Sequence, residues 1–586
     1  MSGYTVRQWN YLLGNYFQDG QSAGSIVPGR VRDFVGTAES NSRASFNVKA
    51  YGAIGNGMNN PASANGFATL GALQAVYPFA TSITNQMDWL AAQLCVNLAS
   101  GLPNGGAVYF PATGTYYFDQ ELVLPDTPSV HLLGDGPNVS ALYWPNDLGS
   151  GKYAIRTADD TNSSTYVNIF RLSILGPGYG QSLTMGSAFC HMHGVKCTHL
   201  FELQNDMLQG FYANIYIVQD HSGFSNLTST NGYYNVYFGS DGLTSYGDHS
   251  FFNCLLAGAS MASVGVSAPN GIDTVYFGRC HMGYAPYALY RESGSPSRPF
   301  VDNSSFVQVS MESFGNAAIH GVNTTDTITS CTFLNLTMAF EPGSTYSLSG
   351  QSSGYYIDVG VFDDNTFVGL DPFQQDGNFL GGSPVAFIRG SGSCSLNYFS
   401  RLDNTIGDVT SGIPFIVSNT ANYNQWEGNG AGGIFLSAQG STITSGQIVG
   451  QKYGQWAQPL GSATDIPFGV AVVGGATGTI IPVATHGITT VNKVASAISA
   501  TKAVGASQAT LGAAAPISGT YQLHLIGSAT NDAASGAATV SVQLNVAPIS
   551  YPQATPTVTG SKGGNAALAS VITALVDAGL VIDNTT

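Results

Sequence analysis

Between about residue 120 and residue 440 the chain is a succession of short apolar and aromatic runs broken by Gly, Asn, Ser and Asp. No long 3.6-residue periodicity interrupts them, so this stretch predicts strands and turns rather than helices. The runs also recur. TVYFGRCHM (274–282), NSSFVQVSM (303–311), TSCTFLNLTM (329–338), DNTFVGLDP (364–372) and SLNYFSRLDN (395–404) align on Phe277, Phe306, Phe333, Phe367 and Phe399, at spacings of 29, 27, 34 and 32 residues. After each Phe the first and third positions are mostly apolar: Gly278/Cys280, Val307/Val309, Leu334/Leu336, Val368/Leu370 and Ser400/Leu402. The second and fourth are mostly polar: Arg279/His281, Gln308/Ser310, Asn335/Thr337, Gly369/Asp371 and Arg401/Asp403. Strand alternation turns the first set inward and the second outward. A strand pattern repeating at the length of one coil predicts an all-β solenoid, a single-stranded parallel β-helix, over residues 120–445.

The flanks differ. TVRQWNYLLGNYF and RVRDFVGTAES each read as a short helix on either side of a turn-rich DGQSAGSIVPG, and residues 1–45 are too few to enclose a core of their own. Residues 46–119 open with FNVKAYGAIGNG and carry a predicted helix, NQMDWLAAQLCVNLA (85–99), as a cap and first coil. From 446 to 586 the composition shifts to Ala, Thr, Val and Gly with few aromatics. TYQLHLIGSATNDAASGAATVSVQLNV (520–546) predicts a β-hairpin or small sandwich, and NAALASVITALVDAGLVIDNTT a helix followed by a strand. This small β-rich region suits a solenoid whose last coil needs covering. No heptads of a coiled coil are present.

Composition narrows the function. Charged residues are only 9%, against roughly a quarter in an average soluble protein, while Gly reaches 73 and Tyr and Phe 30 each. A net charge of −16 argues against binding nucleic acid through its phosphates. Polar, uncharged and aromatic surfaces suit carbohydrate. The seven cysteines are odd in number and scattered, and read as small buried apolar residues. MSGYTVRQWNYLL lacks the pattern of a secretory signal, and no run of about 18 apolar residues suggests a membrane span. An extracellular-looking composition without an export pattern is what a virion component released by lysis would show.

The most specific stretch is FNVKAYGAIGNG (46–57), a helix, and then NGGAVYFPATGTYYFDQELVLPDTPSVHLLGDGPNVSALYW (104–144). It resembles the start of the pectate-lyase-like superfamily of right-handed parallel β-helices, and phage tailspikes in particular. FQDGQSAGSIVPGRVRDFV resembles a segment near the start of many tailed-phage structural proteins. One departure is MNNPASANG (58–66), which stands where an acidic run is usual. The resemblance implies a homotrimeric tailspike in the virion tail, attached to baseplate or adaptor through residues 1–45. It implies action at the bacterial cell surface, binding and depolymerising a capsule, exopolysaccharide or O-antigen. A non-enzymatic receptor-binding spike and a polysaccharide lyase are the alternatives. No cofactor, metal or membrane insertion is expected.

For chemistry, Asp371 and Asp403 fall at equivalent outward positions of successive coils, where Cα atoms stack about 4.8 Å apart. Two carboxyls so close cannot both ionise freely, which suits an acid/base pair. Glycosidases place such a pair about 5–5.5 Å apart when retaining and about 6.5–9.5 Å when inverting. Arg401 beside Asp403 is a candidate substrate ligand, and an exposed ladder of turn-forming Asp is the plain alternative. Glu312 in SMESFGNAAIHG is a third candidate carboxylate. Tyr287, Tyr290 and Trp426 are candidate stacking platforms for sugar rings, with Tyr233, Tyr237, Tyr246 and Tyr284. Arg291, with Glu292 in the loop RESGSPSR, is a candidate ligand for an anionic sugar. Asp-His-Ser occurs twice, at 220–222 and 248–250, one coil apart, so that His221 and His249 can pair. CHMHGVKCTH (190–199) is rich in metal-ligating types, but its spacing matches no structural zinc site.

Overall fold

The computed structural model describes residues 45–112, 114–158, 166–198, 200–239, 247–340, 345–349, 355–373, 386–400, 416–418, 424–428, 431–452, 456–460, 467–507, 510, 512–516, 525–545, 557–560, 568–572 and 582–585. Contacts divide the chain into two compact units. One runs to Val361 and takes in 372–384; the other comprises Phe362–Asp371 and everything from Val385 on.

The first unit is a parallel β-helix of three strand lines. Line one runs from Ser45–Asn47 through Gly106–Phe110 and Val130–Gly134 to the start of Thr332–Phe340. Line two begins at Gly114–Tyr117, and line three at Leu122–Leu124. Each strand pairs in parallel with the strand one coil later, so one inward column in line one reads Leu203, Phe224, Phe251, Phe277, Phe306, Phe333. The five Phe rings stack at 4.4, 4.9, 5.1 and 4.9 Å between centroids, all within 15° of parallel. The register expected from the aligned Phe residues holds for Phe277, Phe306 and Phe333.

The expected alternation needs one correction. The second position after each Phe is not an outward strand residue but a left-handed corner: Arg279, Gln308 and Asn335 have φ of 53°, 54° and 50°, and Gly369 of 68°. A single left-handed residue ends one strand and starts the next. The first position therefore faces out, as half-buried Val307 does, while the third (Cys280, Val309, Leu336) returns to the core. The fourth position, occupied by His281, Ser310 and Thr337, faces out and stacks in register, as expected.

The N-terminal end of the solenoid is closed by the helix Met87–Ser100, whose Leu90, Ala91, Cys95 and Val96 are buried. An uncovered coil would present unpaired backbone groups, and helix side chains meet several. Gln93 accepts from Val123 N and donates to Val123 O, each at 2.9 Å, and the Asp88 carboxylate accepts from Tyr117 N at 2.8 Å. Among the described residues no helix is long and apolar enough to cross a membrane, a finding that leaves strands aside.

In the second unit Phe367, Phe399 and Trp426 occupy one inward register column. Two positions upstream, Asn365, Asn397 and Asn424 form a ladder, each backbone N–H donating to the next Oδ1 at 2.9 and 3.0 Å. Antiparallel strands follow. Ala431–Ala438 pairs with Ile480–Asn492, which pairs with Thr539–Asn545, and the latter forms a hairpin with Leu525–Ala529.

The same rung in the first unit holds His249, whose Nδ1 accepts from Ser222 N at 3.1 Å. The two Asp-His-Ser triplets are thus offset by one residue: His221 Nε2 meets Asp248 Oδ2 at 3.2 Å on the surface, and His249 is buried. Burial first, then the neighbouring His221, hold the His249 pKa down at about 3. Unfolded, a histidine titrates near about 6.5. The neutral ring contributes its full stability above that value and loses it as pH falls toward 3. Wild-type stability, from urea midpoints, is expected to drop by on the order of 3 kcal/mol between pH 7 and pH 4 from this group. His249→Asn, the residue used on this rung in the second unit, should remove that part of the drop. Parallel losses in both proteins would refute the assignment.

Candidate functional site

The outward side of line three is built of tyrosine. In register it reads Lys196, Tyr216, Tyr237, Gly265, Tyr290, His320, Asp358. Three residues upstream run Ala213, Tyr234, Ala262, Tyr287, Ala317. Small residues are interspersed with the rings and leave room for them. A Cβ on Gly265 would lie 2.4 Å from the Tyr234 ring. Tyr234 and Tyr237 share one face because Asn235 between them turns inward, donating to Ala257 O at 3.0 Å and accepting from Asn214 Nδ2 at 3.2 Å. Their rings stack at 4.8 Å, as do those of Tyr287 and Tyr290.

A carboxylate sits among these rings. Tyr234 and Tyr237 donate their hydroxyls to Glu292 at 2.9 and 2.8 Å, one to each oxygen. Half-buried Tyr212 and Tyr233 stack on each other at 4.9 Å, 22° from parallel. Burial raises the pKa of all five phenols (Tyr212, Tyr233, Tyr234, Tyr237 and Tyr290), and the negative charge of Glu292 raises each further. Tyr290 is pushed up to about 12. These groups therefore remain neutral hydrogen-bond donors at any physiological pH. Further along, His320 stacks on Tyr287 at 5.1 Å and its Nδ1 lies 3.3 Å from Asp358 Oδ2.

Two short segments lean over this face. Leu348 packs against the tyrosines, held by Leu348 N donating to Asn316 Oδ1 and Ser347 Oγ to Gly315 O, both at 2.9 Å. Ser260, from the coil of Ala262, donates to Ser187 O at 2.8 Å and accepts from Gly186 N at 2.7 Å.

Of the residues singled out in the sequence, Tyr290 stands half-buried on this face, whereas Tyr287 beside it is 3% exposed, enclosed by the Tyr290 and His320 rings rather than open as a stacking platform. Arg291 is not on this face: its side chain is 0% exposed, its guanidinium donating to the carbonyls of Ala268 and Arg298 and lying 3.3 Å from Asp326. Strand alternation explains the correction, because Arg291 follows the outward Tyr290 and turns away from it. Trp426 is likewise a core residue, 3% exposed in the Phe367–Phe399 column rather than a surface platform. Glu312 is half-buried on line two and accepts from Ser310 Oγ. Asp371 lies in the strand Thr366–Phe373 with its side chain outside the described residues, and Arg401, Asp403, Tyr246 and His199 lie outside them entirely.

The metal-like stretch does not converge. Cys190 and Cys197 are core residues, His191 Nδ1 meets Asp147 at 2.9 Å on the surface, and His193 stacks on Tyr153. Among the described residues no cluster of His, Cys, Asp and Glu could hold a metal ion.

Sequence reasoning passed over Tyr212, Tyr216, Tyr234, His320 and Asp358, and took Glu292 as a loop residue. A signal was present: YNVY (234–237) and YALY (287–290) repeat the Tyr-x-x-Tyr spacing that puts two rings on one face.

No family model matches the chain, and no curated protein does. Similar solved structures include phage tailspikes. ORF18 of Geobacillus virus E2 shares 13% identity over 85% of this chain and 83% of that one, at a TM-score of 0.42. The tailspike gp49 from Pseudomonas phage LKA1 shares 12% identity over 86% and 100%, at 0.34. The Dettilon tailspike gp208 shares 10% over 92% and 100%, at 0.40.

Proposed function

We propose that this protein is a phage tailspike that binds a bacterial surface polysaccharide on the tyrosine face and depolymerises it as a glycoside hydrolase. The observation that carries the binding is the Tyr212–Tyr233 pair, half-open and stacked beside the Glu292 carboxylate. Flat aromatic faces take the apolar side of a sugar ring while a carboxylate and phenols bond its hydroxyls. Asp371 and Asp403 are the proposed cleaving pair, assisted by Arg401, with Glu312 as a further carboxylate. Attachment to the virion through residues 1–45 and assembly as a homotrimer are part of the same proposal, supported by the tailspike-like opening of the sequence.

Replacing Tyr212 and Tyr233 by Ala is expected to weaken retention on host polysaccharide by about 1–3 kcal/mol, some 5- to 150-fold. The measurement is affinity electrophoresis of purified protein in gels containing polysaccharide from sensitive cells. Unchanged retention of the folded double variant would remove this face from the binding surface. Halo formation on bacterial lawns separates cleavage from binding alone.

A further inference from the structure

We infer that the sugar unit seated against Glu292 is uncharged or carries an amino group, and that a uronic acid is excluded there. The inference rests on the polysaccharide-binding reading of the tyrosine face.

Glu292 has two oxygens with about four acceptor sites between them. Tyr234 and Tyr237 occupy two, one on each oxygen. Glu292 is half-buried, so the residue is not sealed off from solvent, and its carboxylate keeps acceptor capacity beyond the two phenols. That capacity takes a donor, a sugar hydroxyl, amide or ammonium.

Among the described residues, the basic groups next to Glu292 in sequence or register are engaged or exposed to solvent. Arg291, adjacent in sequence, is buried with Asp326 and two carbonyls. Lys196, on the same register column, is buried with its Nζ 4.7 Å from the Tyr153 ring centroid. Arg298, the other arginine of the Glu292 loop, is exposed to solvent, where its charge is screened. The charges acting on the five phenols are all negative: Glu292 for each, with Asp326 added at Tyr290. A uronate placed here would meet the Glu292 carboxylate at hydrogen-bond distance, a like-charge juxtaposition that disfavours it.

An array of immobilised neutral, N-acetylated, amino and uronate oligosaccharides tests this with the full chain. Neutral or amino members are expected to bind at least about tenfold more tightly than their uronate counterparts. Glu292→Gln, which removes the charge and keeps the shape, should narrow that ratio by about tenfold. Uronates binding as tightly as their neutral counterparts, or a ratio unchanged in Glu292→Gln, would overturn the inference and leave the polysaccharide reading standing. Binding to no oligosaccharide, and none to host polysaccharide, would overturn both. The wild-type comparison alone decides the matter should the variant fail to fold.

Discussion

Replacing Asp371 and Asp403 together by Asn is expected to lower polysaccharide cleavage by about 10³-fold or more while leaving retention on the polysaccharide unchanged. The expectation comes from register. Phe367 pairs with Phe399, and each Asp stands four residues beyond its Phe. In the first unit that fourth position, at His281, Ser310 and Thr337, faces outward and stacks in register. Gly369, at φ 68°, supplies the same left-handed corner two residues after Phe367 that Arg279 and Gln308 supply after theirs. On the proposed assignment an equal corner after Phe399 would bring the two carboxyls to neighbouring rungs, about 4.8 Å apart at Cα. Two carboxyls so placed would share a proton unequally, the asymmetry that an acid and a nucleophile require. Each single Asn variant should be nearly as inactive as the double, because the two act as a unit. Release of reducing ends, measured beside retention of the same variants, separates chemistry from binding. Turnover persisting in the double variant would place cleavage at another carboxylate.

The fold was legible because its signal repeats. One Phe per coil at near-constant spacing fixes the register, and the stacked rings of Phe277, Phe306 and Phe333 follow from it. The corner was not legible. Arg279, Gln308 and Asn335 are polar, and a polar residue at a left-handed turn looks the same in sequence as one facing out of a strand. The error mattered little for the fourth position, since the corner shifts the alternation once and the next strand resumes it. The site was read less well. Tyr287 and Tyr290 were found because tyrosine is conspicuous, yet Arg291 beside them was taken for a ligand. Neither composition nor spacing reveals that a guanidinium is aimed at backbone carbonyls of the preceding coil and of the loop that follows it. In sequence Glu292 is one acidic residue of the polar loop RESGSPSR, with nothing to tie it to the tyrosines. Its importance comes from Tyr234 and Tyr237, 58 and 55 residues upstream, which coil stacking brings to its two oxygens.

The same coil decides what Arg291 does, and a pair of variants shows it. Arg291→Ala is expected to destabilise the protein by about 3–5 kcal/mol, since it leaves a buried carboxylate without its partner. Both side chains are fully buried, 3.3 Å apart, and burial lowers the arginine pKa while raising that of Asp326. Their mutual attraction therefore offsets part of the desolvation of each ion. Asp326 retains Asn323 N at 2.8 Å, but the carbonyls of Ala268 and Arg298 lose the donors that now bind them at 3.0–3.2 Å. Combining Arg291→Met with Asp326→Leu removes both charges and refills the space, and should recover much of the loss, because desolvation of the ions offsets most of their attraction. The readouts are thermal melting and polysaccharide retention of the folded fraction. A guanidinium enclosed between neighbouring coils gives lower melting and unchanged retention. Unchanged melting with lost retention would return Arg291 to the binding surface and overturn its placement in the core.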